Sequence, residues 1–198
     1  MYQNVIFDYG NTLVVYDERK IAECFVKDEA DVALLSKVLF DRAYFDRLDD
    51  GSLTAEECCA LAAQRLPERL HGAMRAACMG WQRCLPGLPG MAAVVARLRA
   101  AGRGLYLLSN ISREFAAEAA DVPLLQGFDG LVMSGPLGIV KPQPQIYRYL
   151  LDTYHLDPAT CVFVDDRAVN IEGARAAGIA GYLFDGNASR LMDFLFAE

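Results

Sequence analysis

Histidine is almost absent from this 198-residue chain: His71 and His155 are the whole supply. Both fall in polar, helical contexts, and neither is assigned a role. The six cysteines (24, 58, 59, 78, 84 and 161) include no C-x-x-C pair. So few paired ligands argue against both a zinc site and a disulfide framework; most of these cysteines read as small core residues. No apolar run approaches the roughly 18 residues that a membrane span needs. Basic residues are in deficit, with a formal net charge of −7, so nucleic acid is not an expected partner. Met1-Tyr2-Gln3-Asn4 has no basic segment and Asp8 interrupts the first apolar run. That is not a secretory leader pattern, and the expected compartment is the cytoplasm. Apolar side chains, by contrast, are plentiful at 54%. They suffice for a full core, and the length fits one domain or one domain with a modest insertion.

The first strand, Val5-Ile6-Phe7, stops at Asp8, and Gly10-Asn11 follow. Residues from about 18 to 85 then read as purely helical. Ile21, Cys24 and Phe25 share one face, as do Leu35, Val38, Leu39 and the stem of Arg42. Thr54 and Glu57 form a capping-box pattern. Pro67 suits the first turn of another helix, along which lie Leu70, Met74, Ala77, Cys78 and Trp81. Pro86-Gly87-Leu88-Pro89-Gly90 is the best boundary. Beyond it the pattern alternates. Helices are expected from Met91 to an end at Gly102, at 112–120 and 143–154, and after Asp165-Asp166 as far as Gly178, with an amphipathic tail at 188–197. Strands are expected at 105–108, 130–133, 161–164 and 180–184.

Near-continuous apolar strands alternating with helices imply a parallel sheet covered on both faces. The expected fold is therefore α/β, a Rossmann-like three-layer core. Residues 1–14 and 87–198 would form it, and residues 15–86 would be a small all-helical insertion after the first strand. In such sheets ligands bind beyond the carboxyl ends of strands. Three strands end there in polar groups: Asp8, Ser109-Asn110 and Asp165-Asp166. Each carboxylate alone could be a helix cap or a turn former. Brought together they would repel, and a hard cation with oxygen ligands would offset them. Lys141, on the constrained Gly138-Ile139-Val140-Lys141-Pro142 stretch, would add a second positive charge.

The order Asp8-x-Gly10-Asn11-Thr12, Leu108-Ser109-Asn110, Lys141-Pro142, Val164-Asp165-Asp166, with Asn170 and Gly173, resembles the haloacid dehalogenase superfamily of hydrolases over essentially the whole chain. Within it the likeness is greatest to small bacterial sugar-phosphate phosphatases whose first motif reads D-x-G-N. The resemblance implies a Mg2+-dependent phosphomonoester hydrolase acting on a small phosphorylated metabolite such as a sugar 1-phosphate. Asp8 would be the nucleophile, forming an aspartyl-phosphate. Asp8, the carbonyl of Gly10 and Asp166 would hold Mg2+, with Asp165 a ligand through water or an orienter. Lys141 would pair with Asp8 and the phosphoryl group. Ser109 and the backbone N–H of Asn110 would bind phosphoryl oxygens, and Arg113 is a further phosphate-site candidate. Asn170 would orient the Asp165-Asp166 loop. The helical insertion would be the family's cap, hinged near Val14–Asp17 and Pro86–Gly90. Tyr16, Tyr44, Phe45, Trp81, Arg42 and Arg47 are its candidates for facing the cleft. The expected assembly is a monomer or homodimer, with Phe194-Leu195-Phe196 packed internally.

One position departs from the pattern. Most phosphatases of the family carry an acid/base aspartate where this chain has Gly10. Positioned proton transfer supplies about 10²–10⁴-fold. Its loss leaves three readings: a good leaving group, a proton from water or another side chain, or residual turnover in a protein that mainly binds phosphorylated ligands. A phosphomutase, which leans on that acid, is disfavoured. A metal-free 2-haloacid dehalogenase is the other rival, but the Asp165-Asp166 pair would be electrostatically unwelcome in it.

Overall fold

The structure is a computed structural model and describes residues 2–197; Met1 and Glu198, at the outer bounds of the expected core, lie outside the described residues. The elements run in the expected order. β1 is Asn4–Phe7. The helices α1 (Glu18–Glu23), α2 (Glu29–Leu39), α3 (Arg42–Asp49), α4 (Ala55–Ala63) and α5 (His71–Gly80) follow it. Then come α6 (Met91–Ala100), β2 (Gly104–Ser109), α7 (Arg113–Glu118), β3 (Gly130–Met133), the one-turn α8 (Ser134–Leu137) and α9 (Pro144–Tyr154). β4 (Cys161–Asp165), α10 (Ala168–Ala176), β5 (Ala180–Leu183) and α11 (Ala188–Phe196) complete the chain.

The sheet has five parallel strands in the order β3-β2-β1-β4-β5. Val5, Ile6 and Phe7 are wholly buried because β1 lies at the centre and is covered on both faces. Alternation along the strands sorts the core into two layers. Val5, Phe7, Leu105, Leu107, Val162 and Val164 pack under α6, α7 and α11. Ile6, Tyr106, Leu108 and Phe163 pack under α9 and α10. The chain winds from β1 outward to β3, then returns to the other side of β1 for β4. That reversal leaves a crevice beyond the carboxyl ends of β1 and β4.

The helices between β1 and α6 have an apolar cluster of their own, including Ile21, Leu35, Val38, Leu53, Ala62, Leu70 and Met74. Aspartates 17, 28 and 41 cap α1, α2 and α3, and Thr54 with Glu57 forms the expected capping box on α4. Two details differ from the sequence reading. Arg42 does not share the Leu35 face, because α2 ends at Leu39 and Asp41 starts a new helix by accepting from Ala43 N–H at 3.0 Å. Pro67 opens a single 3-10 turn (Glu68–Leu70) rather than α5, and Trp81 begins another such turn beyond it. The tail packs only in part: Leu195 is buried and Arg97 covers the Phe196 ring, whereas Phe194, though against Tyr2 and Tyr182, stays exposed. No helix among the described residues is long and apolar enough to cross a membrane.

Candidate active site

Each core side chain of the site stands at or just after the end of a strand. Asp8 follows β1, Ser109 is the last residue of β2, and Asp165 is the last residue of β4. Lys141 comes from the loop between α8 and α9. Its ammonium lies 2.7 Å from Asp8 Oδ1 and 2.7 Å from Asp165 Oδ2. Ser109 Oγ–H donates to Asp8 Oδ1 at 2.8 Å. Asp165 is fully engaged: Asn170 Nδ2 donates to both of its oxygens and Arg167 N–H to Oδ1. The buried pair Asp165–Asn170 therefore fixes the lysine rather than facing solvent.

The loop carrying Lys141 is held by a contact that sequence reasoning missed. Asn110 Oδ1 accepts from Lys141 N–H at 2.7 Å, and Asn110 Nδ2 donates to the Lys141 carbonyl at 3.1 Å. The motif Ser109-Asn110 pointed to the backbone amide of Asn110; its side chain is, in addition, a two-point clamp on the cationic loop.

The electrostatics follow from burial. Loss of solvent pushes the Asp8 carboxyl up, against the opposing pull of Lys141. Burial disfavours charge on Lys141 too, yet Asp8 and Asp165 hold its ammonium above the ordinary range. The Asp166 carboxyl is raised by burial, then by the charges on Asp8 and Asp165. One oxygen from each of Asp8, Asp165 and Asp166 lies within 4.8 Å of the others. One lysine against three carboxylates leaves excess negative charge, all on oxygen donors. Such a set fits a hard divalent cation.

These groups open into a cavity of about 510 Å³ whose other wall is made by the helical segment. Asp8, Gly10, Ser109, Asn110, Lys141, Asp166 and Asn170 line one side. Tyr16, Arg42, Phe45, Asp46, Asp49 and Trp81 line the other. Arg42, Phe45, Asp46 and Asp49 recur at the i, i+3, i+4, i+7 positions of α3, one face of the helix. Tyr44 and Arg47 fall on its other faces and do not line the cavity; Tyr44 sits under Arg65 instead. Arg113 is also outside it. Its Nε donates to the Gly135 carbonyl at 3.1 Å, beneath the turn at Gly51, so its guanidinium braces the segment joining α3 and α4. Asp49 is a cavity residue that sequence reasoning passed over.

The haloacid dehalogenase-like hydrolase family matches residues 2–178. The chain belongs to that family. This hydrolase is 28% identical over 196 residues to D-ribitol-5-phosphate phosphatase of Bacteroides thetaiotaomicron, covering 90% of this chain and 89% of that one. It is 43% identical to mouse bifunctional epoxide hydrolase 2 over 70 residues, which are 35% of this chain and only 13% of the mouse protein's length. Its fold superposes on that of a Bacteroides thetaiotaomicron HAD family enzyme solved in complex with magnesium and inorganic phosphate, with a TM-score of 0.75 at 20% identity over 96% of this chain and 99% of the other.

Proposed function

We propose that this hydrolase is a Mg2+-dependent phosphatase that cleaves small phosphomonoesters through an aspartyl-phosphate on Asp8. The observation that carries the reading is the carboxylate cluster served by a single buried lysine at the mouth of a cavity. Asp8, Asp166 and the carbonyl of Gly10 would hold Mg2+, with Asp165 behind them as the orienter of Lys141. Bound there, the ion would neutralise charge on the phosphoryl oxygens, while Asp8 attacks phosphorus. Lys141 stabilises the equatorial oxygens of the transferring group, and Ser109 with the Asn110 N–H binds the rest. Positioning and charge stabilisation of this kind supply most of the catalysis in phosphoryl transfer. In a metal-free dehalogenase, three clustered carboxylates would repel the negative charge developing on the leaving halide.

Residues 15–86 are read as a cap over this site. Its two connections run side by side, with Val15 N–H donating to Pro86 O and Leu88 N–H to Leu13 O, both at 2.9 Å. Such paired strands suit a hinge. The cap wall combines the rings of Tyr16, Phe45 and Trp81 with Arg42, Asp46 and Asp49. Apolar faces beside carboxylates suit a polyol or sugar phosphate, whose C–H faces stack and whose hydroxyls donate.

The test is a panel of phosphomonoesters, including sugar phosphates and p-nitrophenyl phosphate, assayed for phosphate release with Mg2+. Turnover is expected with Mg2+, none with a chelator, and a loss of at least about 10³-fold in Asp8→Asn. Turnover that survives the chelator, or full activity in Asp8→Asn, rejects the reading.

A further inference from the structure

We propose that Asp49, supplied by the cap helix α3, is the proton carrier of this active site and performs the acid/base work that Gly10 cannot. The inference rests on the phosphatase reading above. Nothing about the backbone demands glycine at position 10. Its φ is not in the left-handed region, and a Cβ there would approach Tyr16 Cβ no closer than 3.7 Å. The position is roomy and faces the cap. A group across that gap is placed to supply the proton.

Asp49 is the carboxyl on the cap wall whose surroundings fit the task. On its own helix, Asp46 is paired with Arg42 at 2.8 Å. The Asp49 side chain has no ion-pair or hydrogen-bond partner among the described residues; only its carbonyl is engaged, accepting from Ser134 Oγ–H at 2.6 Å. That bond pins the end of α3 to the core. Glu114 Oε1 adds a second pin by accepting from Ala55 N–H, at the start of α4, at 2.9 Å. The carboxyl is thus held in the cavity by the core although the cap carries it. The charged and titratable groups facing it are Asp46 and Arg42 from α3, Asp8 and Lys141 from the core, and Tyr16 from the connection to α1. Burial first, then the charge on Asp46, pushes its carboxyl up to about 7. Near neutrality it can therefore both give and take a proton.

The balance is complete without a further reactant. Asp8 Oδ bonds to phosphorus as the P–O bond to the leaving group breaks. The leaving oxygen keeps that electron pair and takes the proton of Asp49, departing as the neutral alcohol. Asp49, now ionised, takes a proton from water as the water oxygen bonds to phosphorus. The P–O bond to Asp8 then breaks, returning its carboxylate and releasing inorganic phosphate, with Asp49 protonated again.

The experiment compares kcat/KM, which reports the steps through the first P–O cleavage, on two aryl phosphates with Mg2+. Phenyl phosphate has a poor leaving group and needs the proton; p-nitrophenyl phosphate has a good one and needs it little. Neither carries a sugar hydroxyl that Asp49 could merely bind. Asp49→Asn is expected to lose about 10²-fold or more on phenyl phosphate and under about 10-fold on p-nitrophenyl phosphate. It should also lose the fall in kcat/KM above about pH 7, where wild type gives up the proton. Asp49→Glu should recover part of the phenyl phosphate activity. Equal losses on both esters would mark a structural role and overturn the proposal, as would no loss on either. A wild-type protein inactive on both esters overturns the phosphatase reading and this inference together. Activity lost in Asp8→Asn but untouched in Asp49→Asn overturns this inference alone.

Discussion

The two walls of the cavity are built on opposite principles. On the core wall, Asp8, Ser109, Lys141 and Asp165 are buried and joined by hydrogen bonds of 2.7–2.8 Å, the three acidic and hydroxyl groups standing at strand ends and Lys141 on a loop clamped by Asn110. On the cap wall, Arg42 and Asp46 form an exposed pair and the aromatic rings meet at varied tilts. Charges held rigidly out of water interact strongly and cost no reorganisation during reaction. Rings and exposed charges on the helical wall give contact area without such a network. On the proposed function, chemistry would belong to the first arrangement and selectivity to the second, and Asp49 is the exception because the core pins the end of α3 in place.

The sharpest way to break this contrast is to remove the core's one buried cation. Lys141→Met should lower turnover by about 10²-fold or more. It should also destabilise the fold by about 3–5 kcal/mol in urea denaturation, because two buried carboxylates lose their partner. Added Mg2+ should recover part of that stability. A variant as stable as wild type without Mg2+ would mean that the core wall is not electrostatically committed.

The cap wall should answer differently. Trp81→Ala is expected to raise KM by about 3–10-fold for the best substrate of the panel, with kcat changed less than about 2-fold, as loss of uniform binding requires. An equal fall in kcat would place the aromatic wall in the chemistry.

The smallest effect concerns stability and pH. Folded Asp49 keeps its proton up to about pH 7, while an unfolded aspartate releases it near 3.9. Its contribution to stability is therefore complete below about pH 4 and is lost as pH rises through about 7. Asn cannot ionise, so Asp49→Asn should melt higher than wild type at pH 8, by about 2–4 °C for each kcal/mol relieved. The difference should vanish near pH 4. No difference at either pH would mean that the carboxyl is solvated after all. A variant that is stabilised and yet slower would show a site held at the expense of stability.

Much of the site was legible because its residues follow strands. A run such as Val5-Ile6-Phe7 has one sensible use, and the polar residue that ends it must then lie at the sheet's edge. What escaped were contacts outside the motif pattern that depend on a partner distant in sequence. The Asn110 clamp needs the Lys141 loop alongside β2. Arg113 looked like a phosphate ligand at a helix start until Gly135 and the Gly51 turn claimed it. Asp49 did leave a trace. It sits at the C-terminal end of α3 next to Asp46 and Asp50, where the helix dipole disfavours acids. It also shares a face with Arg42 and Phe45. Without the cavity, that acid looks like one more exposed carboxylate.

The sequence by itself determined the α/β alternation, the helical insertion and the order of polar strand ends, because burial on two faces dictates the residue types of a parallel strand. Only the tertiary structure decided at what distances the charges meet and that Asp49 faces them across the cavity. Coulombic and hydrogen-bonding energies depend on separations of a few ångströms, and those are set by how the helical segment packs against the sheet.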